Sequence, residues 1–142
     1  MSILSLERIS LRASATDQTD AIRQAGELLV RSGCVLPEYL EGMLLREQFM
    51  STSLGNGIAI PHGVYENRSH ILQTGISVLQ IVNGVAWGHG KKVSLVIGIA
   101  ALSNQHAGVL ANLANVIDNE KNLAELFSTT NPGVIMNYLS LN

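Results

Sequence analysis

The chain has 142 residues, the length of one ordinary domain, and folding at that length buries roughly 70% of the surface an unfolded chain exposes, enough for a real core. Hydrophobic residues make up 46% and charged residues only 14%, against a usual charged share of about 25%, which excludes a disordered tail. Nine Lys and Arg are scattered thinly under a net charge of −2, which excludes the basic stripe that nucleic acid requires.

The single cysteine, Cys34, cannot close an internal disulfide, so no oxidising compartment is implied. Glu7, Arg8 and Arg12 arrive too early for a signal peptide. The most apolar stretch, Val93 to Leu102, runs for ten residues, and a membrane-spanning helix needs about 20. A soluble, cytoplasmic chain without direct membrane insertion is expected.

No repeat, low-complexity tract or Gly/Ser linker divides the sequence, so residues 1–142 read as one domain. A first helix is predicted from Asp17 to Ser32. Ala21, Ile22, Ala25, Leu28 and Leu29 recur at helical spacing, Thr16 or Asp17 can cap the start, and Gly33 ends it. Pro37 suits the first turn of a second helix with Tyr39, Leu40, Met43 and Leu44 facing inward. From Ser51 to Gly63 the texture changes: Gly55, Gly57 and Gly63 surround a short strand, Ile58-Ala59-Ile60, which Pro61 stops. Two longer strands follow, Thr74–Val82 and Val93–Ala101, the second apolar enough to be a central strand buried on both faces. Ser103 or Asn104 can cap a helix over Gln105–Ile117, with Val109, Leu110, Leu113, Val116 and Ile117 as its apolar stripe. Short helices over Asn119–Ser128 and, with Asn131 as cap and Pro132 first, to Leu139 finish the chain. Alternating helices and strands predict an α/β sheet layered with helices, its strand order left open.

Most catalytic templates fail here. Gly90-Lys91 lacks the upstream glycine of a phosphate loop, and Gly75-Ile76-Ser77-Val78-Leu79 is only half a nucleophile elbow. The histidines at 62, 70, 89 and 106 have no zinc-ligand spacing, so neither a metal nor a cofactor is expected. His62 differs from the others. Pro61 fixes the approach of the chain, Gly63 lets backbone come close to whatever meets the ring, and the glycines nearby could free amides for an anion-binding concavity. A neutral imidazole presented this way suits a phosphoryl carrier. By spacing alone, a histidine that caps a strand and bonds a nearby carbonyl fits better.

The wider stretch alters that balance. From Arg46 to Gly63, the residues Glu47, Leu54, Gly55, Ile58, Ala59, Ile60, Pro61, His62 and Gly63 stand in register with a known pattern. It resembles the active-site signature of enzyme IIA of the phosphotransferase system, in the fructose–mannitol family, with the mannitol type most similar. The resemblance continues through Trp87, the strand Leu95–Ala101 and Asn104-Gln105-His106, and so covers nearly the whole chain. It implies an α/β sandwich with a mixed sheet flanked by helices. It also implies a phosphohistidine at His62, attached at Nε2, loaded by phospho-HPr and unloaded onto a cysteine of a IIB domain, with a IIC permease served indirectly.

The matched positions carry Arg46 and His106 over as phosphate-site neighbours, which suits the charge compensation that phosphoryl transfer needs. Taken singly, Arg46 could be a helix-surface cation, and His106 could merely open its helix. A charged imidazolium there would oppose the helix dipole, which favours a neutral, hydrogen-bonding role. Thr52 and Asn56 could each support the phosphate or stabilise a turn. Cys34 is expected to be buried, His70 exposed and idle, and His89 in a solvated loop. Two rival readings remain: a nitrogen-type regulatory IIA that signals by its phosphorylation state, and a binding module whose histidine is never phosphorylated.

Overall fold

The computed structural model describes residues 3–140. Five strands form its sheet: β1 (Ile9–Ala13), β2 (Ser53–Gly55), β3 (Ile58–Ala59), β4 (Gly75–Ala86) and β5 (Lys92–Ala100), in the order β1-β4-β5-β3-β2. β1 runs parallel to β4 and β3 parallel to β5, while β4/β5 and β2/β3 are antiparallel pairs. The sheet is mixed, and β5 lies at its centre. From Leu95 to Ala100 every residue of β5 is buried, as its unbroken apolar run predicts.

Helices cover both faces. α1 (Gln18–Arg31) and α2 (Tyr39–Phe49) lie on one, where Ile22, Ala25, Leu29 and Met43 meet Leu79, Val96 and Ala100. α3 (His106–Ile117), α4 (Glu120–Ser128) and α5 (Pro132–Leu139) lie on the other, where Leu113, Leu126 and Ile135 meet Val78, Ile97 and Ile99. Each of the buried Leu, Ile, Val and Met side chains among them contributes about 1.5–3 kcal/mol relative to exposure. Polar side chains tie the layers together: Ser77 Oγ donates to Ala25 O at 2.8 Å, and Gln80 Nε2 donates to Leu126 O and Thr129 O, each at 3.0 Å. α1 can sit this close because residue 98 is glycine; a Cβ there would stand 2.5 Å from Ser77 Oγ and 3.4 Å from Ala25 Cβ.

The predicted helix ends hold where their capping chemistry is strong. The Asp17 carboxylate accepts from Asp20 N at 2.8 Å, Asn119 accepts from Asn122 N at 3.1 Å, and Asn131 accepts from Gly133 N with Pro132 first in α5. Elsewhere the structure corrects the sequence reading. Pro37 lies in the turn before α2, not in its first turn, and supplies the carbonyl that Leu40 N–H reaches at 3.1 Å. Neither Ser103 nor Asn104 caps α3; Gln105 occupies the cap position without a side-chain cap bond, and its side chain meets the Thr74 hydroxyl. β4 extends past Val82 to Ala86 because a register shift between Gln80 and Val85 lets pairing resume. β1 and β2 have no counterpart in the sequence reading. β1 is an edge strand without a clear burial alternation, and β2 is three residues long. A 3-10 helix over Tyr65–His70 is also new.

Candidate active site

Beyond β3 the chain passes through Ile60 and Pro61, and His62 makes an isolated parallel bridge to Ile99, whose N–H donates to Pro61 O at 2.9 Å. His62 therefore sits at the carboxyl end of β3, beside the carboxyl end of its parallel neighbour β5, the usual place for sites in sheets with parallel strands. Its Nδ1 is 2.9 Å from Ile60 O. A carbonyl can only accept, so in the neutral ring Nδ1 carries the hydrogen and Nε2 keeps its lone pair. Burial pushes the His62 pKa below its ordinary 6.5, the Ile60 carbonyl opposes the shift, and the charge of Arg46 and the His106 ring add to it. The neutral, nucleophilic form is thereby favoured near pH 7. The carbonyl bond of the plain reading and the free nitrogen of the carrier reading coexist, because they use different nitrogens.

Two helices bring the neighbours in. α3 starts at His106, whose ring centroid lies 5.4 Å from that of His62 with the planes at 64°. Arg46 comes from the last turn of α2, where its Nη1 donates to Met50 O at 2.6 Å. An open cleft of about 500 Å³ joins these residues, lined also by Tyr39, Gly63, Tyr65, Arg68 and Ser103. No lining residue is acidic. In a chain of net charge −2, this is a local concentration of positive charge, with the positive end of the α3 dipole at its border. Among the described residues, no cluster of His, Cys, Asp and Glu is arranged to hold a metal ion.

Of the residues singled out from sequence, His62, His106, Arg46 and Gly63 line this cleft, while Thr52 and Asn56 do not. Thr52 is buried, with its hydroxyl donating to Glu47 Oε1 at 2.6 Å and its N–H to Glu47 Oε2 at 2.8 Å. Trp87 Nε1 donates to the same carboxylate at 3.0 Å, so Glu47 ties the end of α2 to two other parts of the fold. Asn56 sits in the β2–β3 turn at φ +55°, between Gly55 and Gly57, both at φ +84°. That turn borders a different cavity, against α3, at the opposite end of β3 from His62. The expected amide concavity around the histidine is therefore not built from those glycines, and the Gly63 N–H already donates to Tyr39 Oη at 2.9 Å.

His89 is exposed at φ +52° between two glycines of the β4–β5 loop, and Cys34 is buried, both as expected. His70 is not idle: it is half-buried, with Nδ1 3.2 Å from Asn67 Nδ2. The sequence reading also missed three cleft residues. Tyr39 reads there only as core, and Tyr65 and Arg68, the guanidinium 4.1 Å above the ring, lie in the unpredicted 3-10 helix. The one available signal was their position just after Pro61-His62-Gly63.

The comparisons with known proteins agree with this geometry. The family described as phosphoenolpyruvate-dependent sugar phosphotransferase system, EIIA 2, matches residues 2–142. A multiphosphoryl transfer protein of Xanthomonas campestris is 47% identical over 128 residues, which are 90% of this chain but only 15% of that much longer protein. The mannitol-specific phosphotransferase enzyme IIA component of Bacillus subtilis is 40% identical over 128 residues, 90% of either chain. Among solved structures, enzyme IIA for mannitol from Escherichia coli, in complex with phosphorylated IIB, superposes with a TM-score of 0.91 at 39% identity, covering 98% of both chains. With its mixed sheet, its helical layers and a histidine at the end of β3, the chain belongs to the EIIA 2 family of the phosphoenolpyruvate-dependent sugar phosphotransferase system.

Proposed function

We propose that this chain, acting as one IIA unit over residues 1–142, is a cytoplasmic phosphocarrier. It accepts a phosphoryl group from phospho-HPr on His62 and passes it to the cysteine of a IIB domain, for uptake of mannitol or a related polyol or sugar through a IIC permease. The observation that carries this reading is the His62 ring itself, tied through Nδ1 to Ile60 O and left with a free Nε2 in a cleft without carboxylates. The relatives from Bacillus subtilis and Escherichia coli, both mannitol components, support the mannitol type over the nitrogen-type reading. Among the described residues, no helix is long and apolar enough to cross a membrane.

In the first step the Nε2 lone pair attacks phosphorus in line. A P–N bond forms, and the bond from phosphorus to the donor breaks with its electron pair staying on the donor. In the second, the IIB thiolate attacks, a P–S bond forms, and the P–N pair returns to Nε2. The transition state is loose, so the protein supplies positioning and charge compensation. A phosphoryl group brings about −1.5 to −2 charges. The fork of Arg46 can hold two of its oxygens, and the His106 ring can donate to another.

Incubation with phosphoenolpyruvate, enzyme I and HPr tests the proposal. One acid-labile, base-stable phosphoryl group per chain should appear and should chase onto added mannitol-type IIB. No labelling would overturn the carrier reading; labelling without any chase would favour the regulatory one.

A further inference from the structure

The parallel pairing of His62 with Ile99 has a fault in it. Ile99 N–H donates to Pro61 O at 2.9 Å, and the ladder bond that follows in a parallel pair would run from Gly63 N–H to Ile99 O. In its place stands the hydroxyl of Tyr39, which accepts from Gly63 N–H at 2.9 Å and donates to Ile99 O at 2.8 Å. Tyr39 is only 2% exposed, so this is no surface contact. Its ring lies so close that a Cβ on Gly63 would come within 2.7 Å of Cε1 and 3.0 Å of Cζ. Gly63 is thus required by the tyrosine ring, not by an unusual backbone angle. Burial raises the Tyr39 pKa to about 12, so the hydroxyl remains a donor throughout the neutral range.

We propose that Tyr39 is a positioning residue for His62, its hydroxyl spliced into the β3–β5 ladder so that the chain leaves the sheet immediately after the histidine. A direct Gly63–Ile99 bond would draw residues 62 and 63 toward β5 and turn the imidazole relative to His106, which follows β5 in the chain. The relay holds them one hydroxyl apart while keeping both backbone groups hydrogen-bonded. Tyr39 and Arg46 stand seven residues apart on α2 and line the same cleft, a spacing that puts them on one helix face. One helix therefore sets both the histidine and the cation facing it.

This inference rests on the carrier reading of His62, and its test is chosen to separate the two. Tyr39→Phe keeps the ring that packs on Gly63 and removes only the hydroxyl. The kcat for phosphoryl acceptance should fall about 10- to 100-fold, the range expected of a misplaced reacting group, with the KM for phospho-HPr nearly unchanged. The ¹⁵N shifts of the His62 ring should move as the imidazole turns relative to His106. A folded Tyr39→Phe protein with unchanged kcat and unmoved His62 resonances would overturn the proposal. Should that variant fail to fold, the wild-type protein decides. A slowly exchanging Gly63 amide in contact with a slowly exchanging Tyr39 hydroxyl proton supports the relay, whereas a freely exchanging Gly63 amide refutes it. If the wild-type chain takes no label at all, the carrier reading fails, but the ring resonances still decide whether Tyr39 orients His62.

Discussion

The two ends of β3 carry similar letters and do different things. At its start, Gly55-Asn56-Gly57 has three consecutive positive φ angles, in the glycine-rich stretch whose sequence suggests amides turned toward an anion. That backbone is engaged in turning the chain: Gly55 N–H bonds Ser53 Oγ at 3.3 Å, and Gly57 O accepts from Ser94 and Leu95. At its end, Pro61-His62-Gly63 has negative φ angles, and the Arg46 and His106 side chains that share its cleft come from α2 and α3. Glycine richness marks the turn. Convergence of three elements marks the chemistry.

The largest test of this contrast is to remove the His62 imidazole. His62→Gln should abolish phosphoryl acceptance while leaving Tm nearly unchanged, because the ring is only half-buried and makes one backbone bond. Residual labelling at the normal rate would move the site elsewhere. Next in size are Arg46→Gln and His106→Gln. Each should slow transfer by about 10²–10³-fold, the loss typical of one removed donor to a charged transition state. Stopped-flow transfer from phospho-HPr measures this, and full-speed transfer would return the residue to a helix-surface or helix-opening role.

Much of this was legible in sequence because local chemistry and tertiary position agree there. Asp17 and Asn131 cap the helices they announce, and the run from Leu95 to Ala100 is buried on both faces as an unbroken apolar run should be. His62 stands out by its setting between Pro61 and Gly63, but Arg46 and His106 came from a resemblance, since sixteen residues separate Arg46 from His62 and no periodicity joins them. Thr52 and Asn56 stay ambiguous in sequence because side-chain hydroxyls and amides beside glycines serve turns and phosphates alike. Only tertiary structure shows that Thr52 faces Glu47. Tyr39 was missed for the opposite reason: its ring is core, and nothing local reveals that its hydroxyl stands between two strands.

Two smaller effects sharpen the cleft end. Arg68 is exposed and stacked on Tyr65 at the rim. Arg68→Ala should cost about fivefold in association with phospho-HPr and flatten its salt dependence, as rim charges do, without altering the fully bound rate. An equal loss in kcat would make it a phosphate ligand instead. The pH profile should differ from that of free histidine. Between pH 7.5 and 6 an ordinary imidazole of pKa 6.5 loses about fourfold of its neutral form. Burial lowers the His62 pKa, so its lone pair survives to more acid pH and the rate should fall by less than that factor. A fall of fourfold or more, measured with a pH-insensitive donor excess, would show that burial does not hold the ring neutral.

The smallest effect on transfer belongs to the turn end. Asn56 adopts φ +55°, a conformation that costs most L-residues roughly 1–2 kcal/mol and that Asn tolerates better than Ala. Asn56→Ala should therefore lower stability by about 1 kcal/mol, or about 3–5 °C in Tm for a domain of this size, and Asn56→Gly should restore it. Neither should change transfer, because the strain is confined to a turn on the far side of β3 and the neighbouring cavity contains no histidine. Calorimetry and transfer kinetics on the same two proteins separate the outcomes. If Asn56→Ala slows transfer while Asn56→Gly does not, strain at the turn reaches His62 along β3. If both slow it equally, the amide side chain itself contacts the phosphoryl group or its donor, and the division between the two ends of the strand fails.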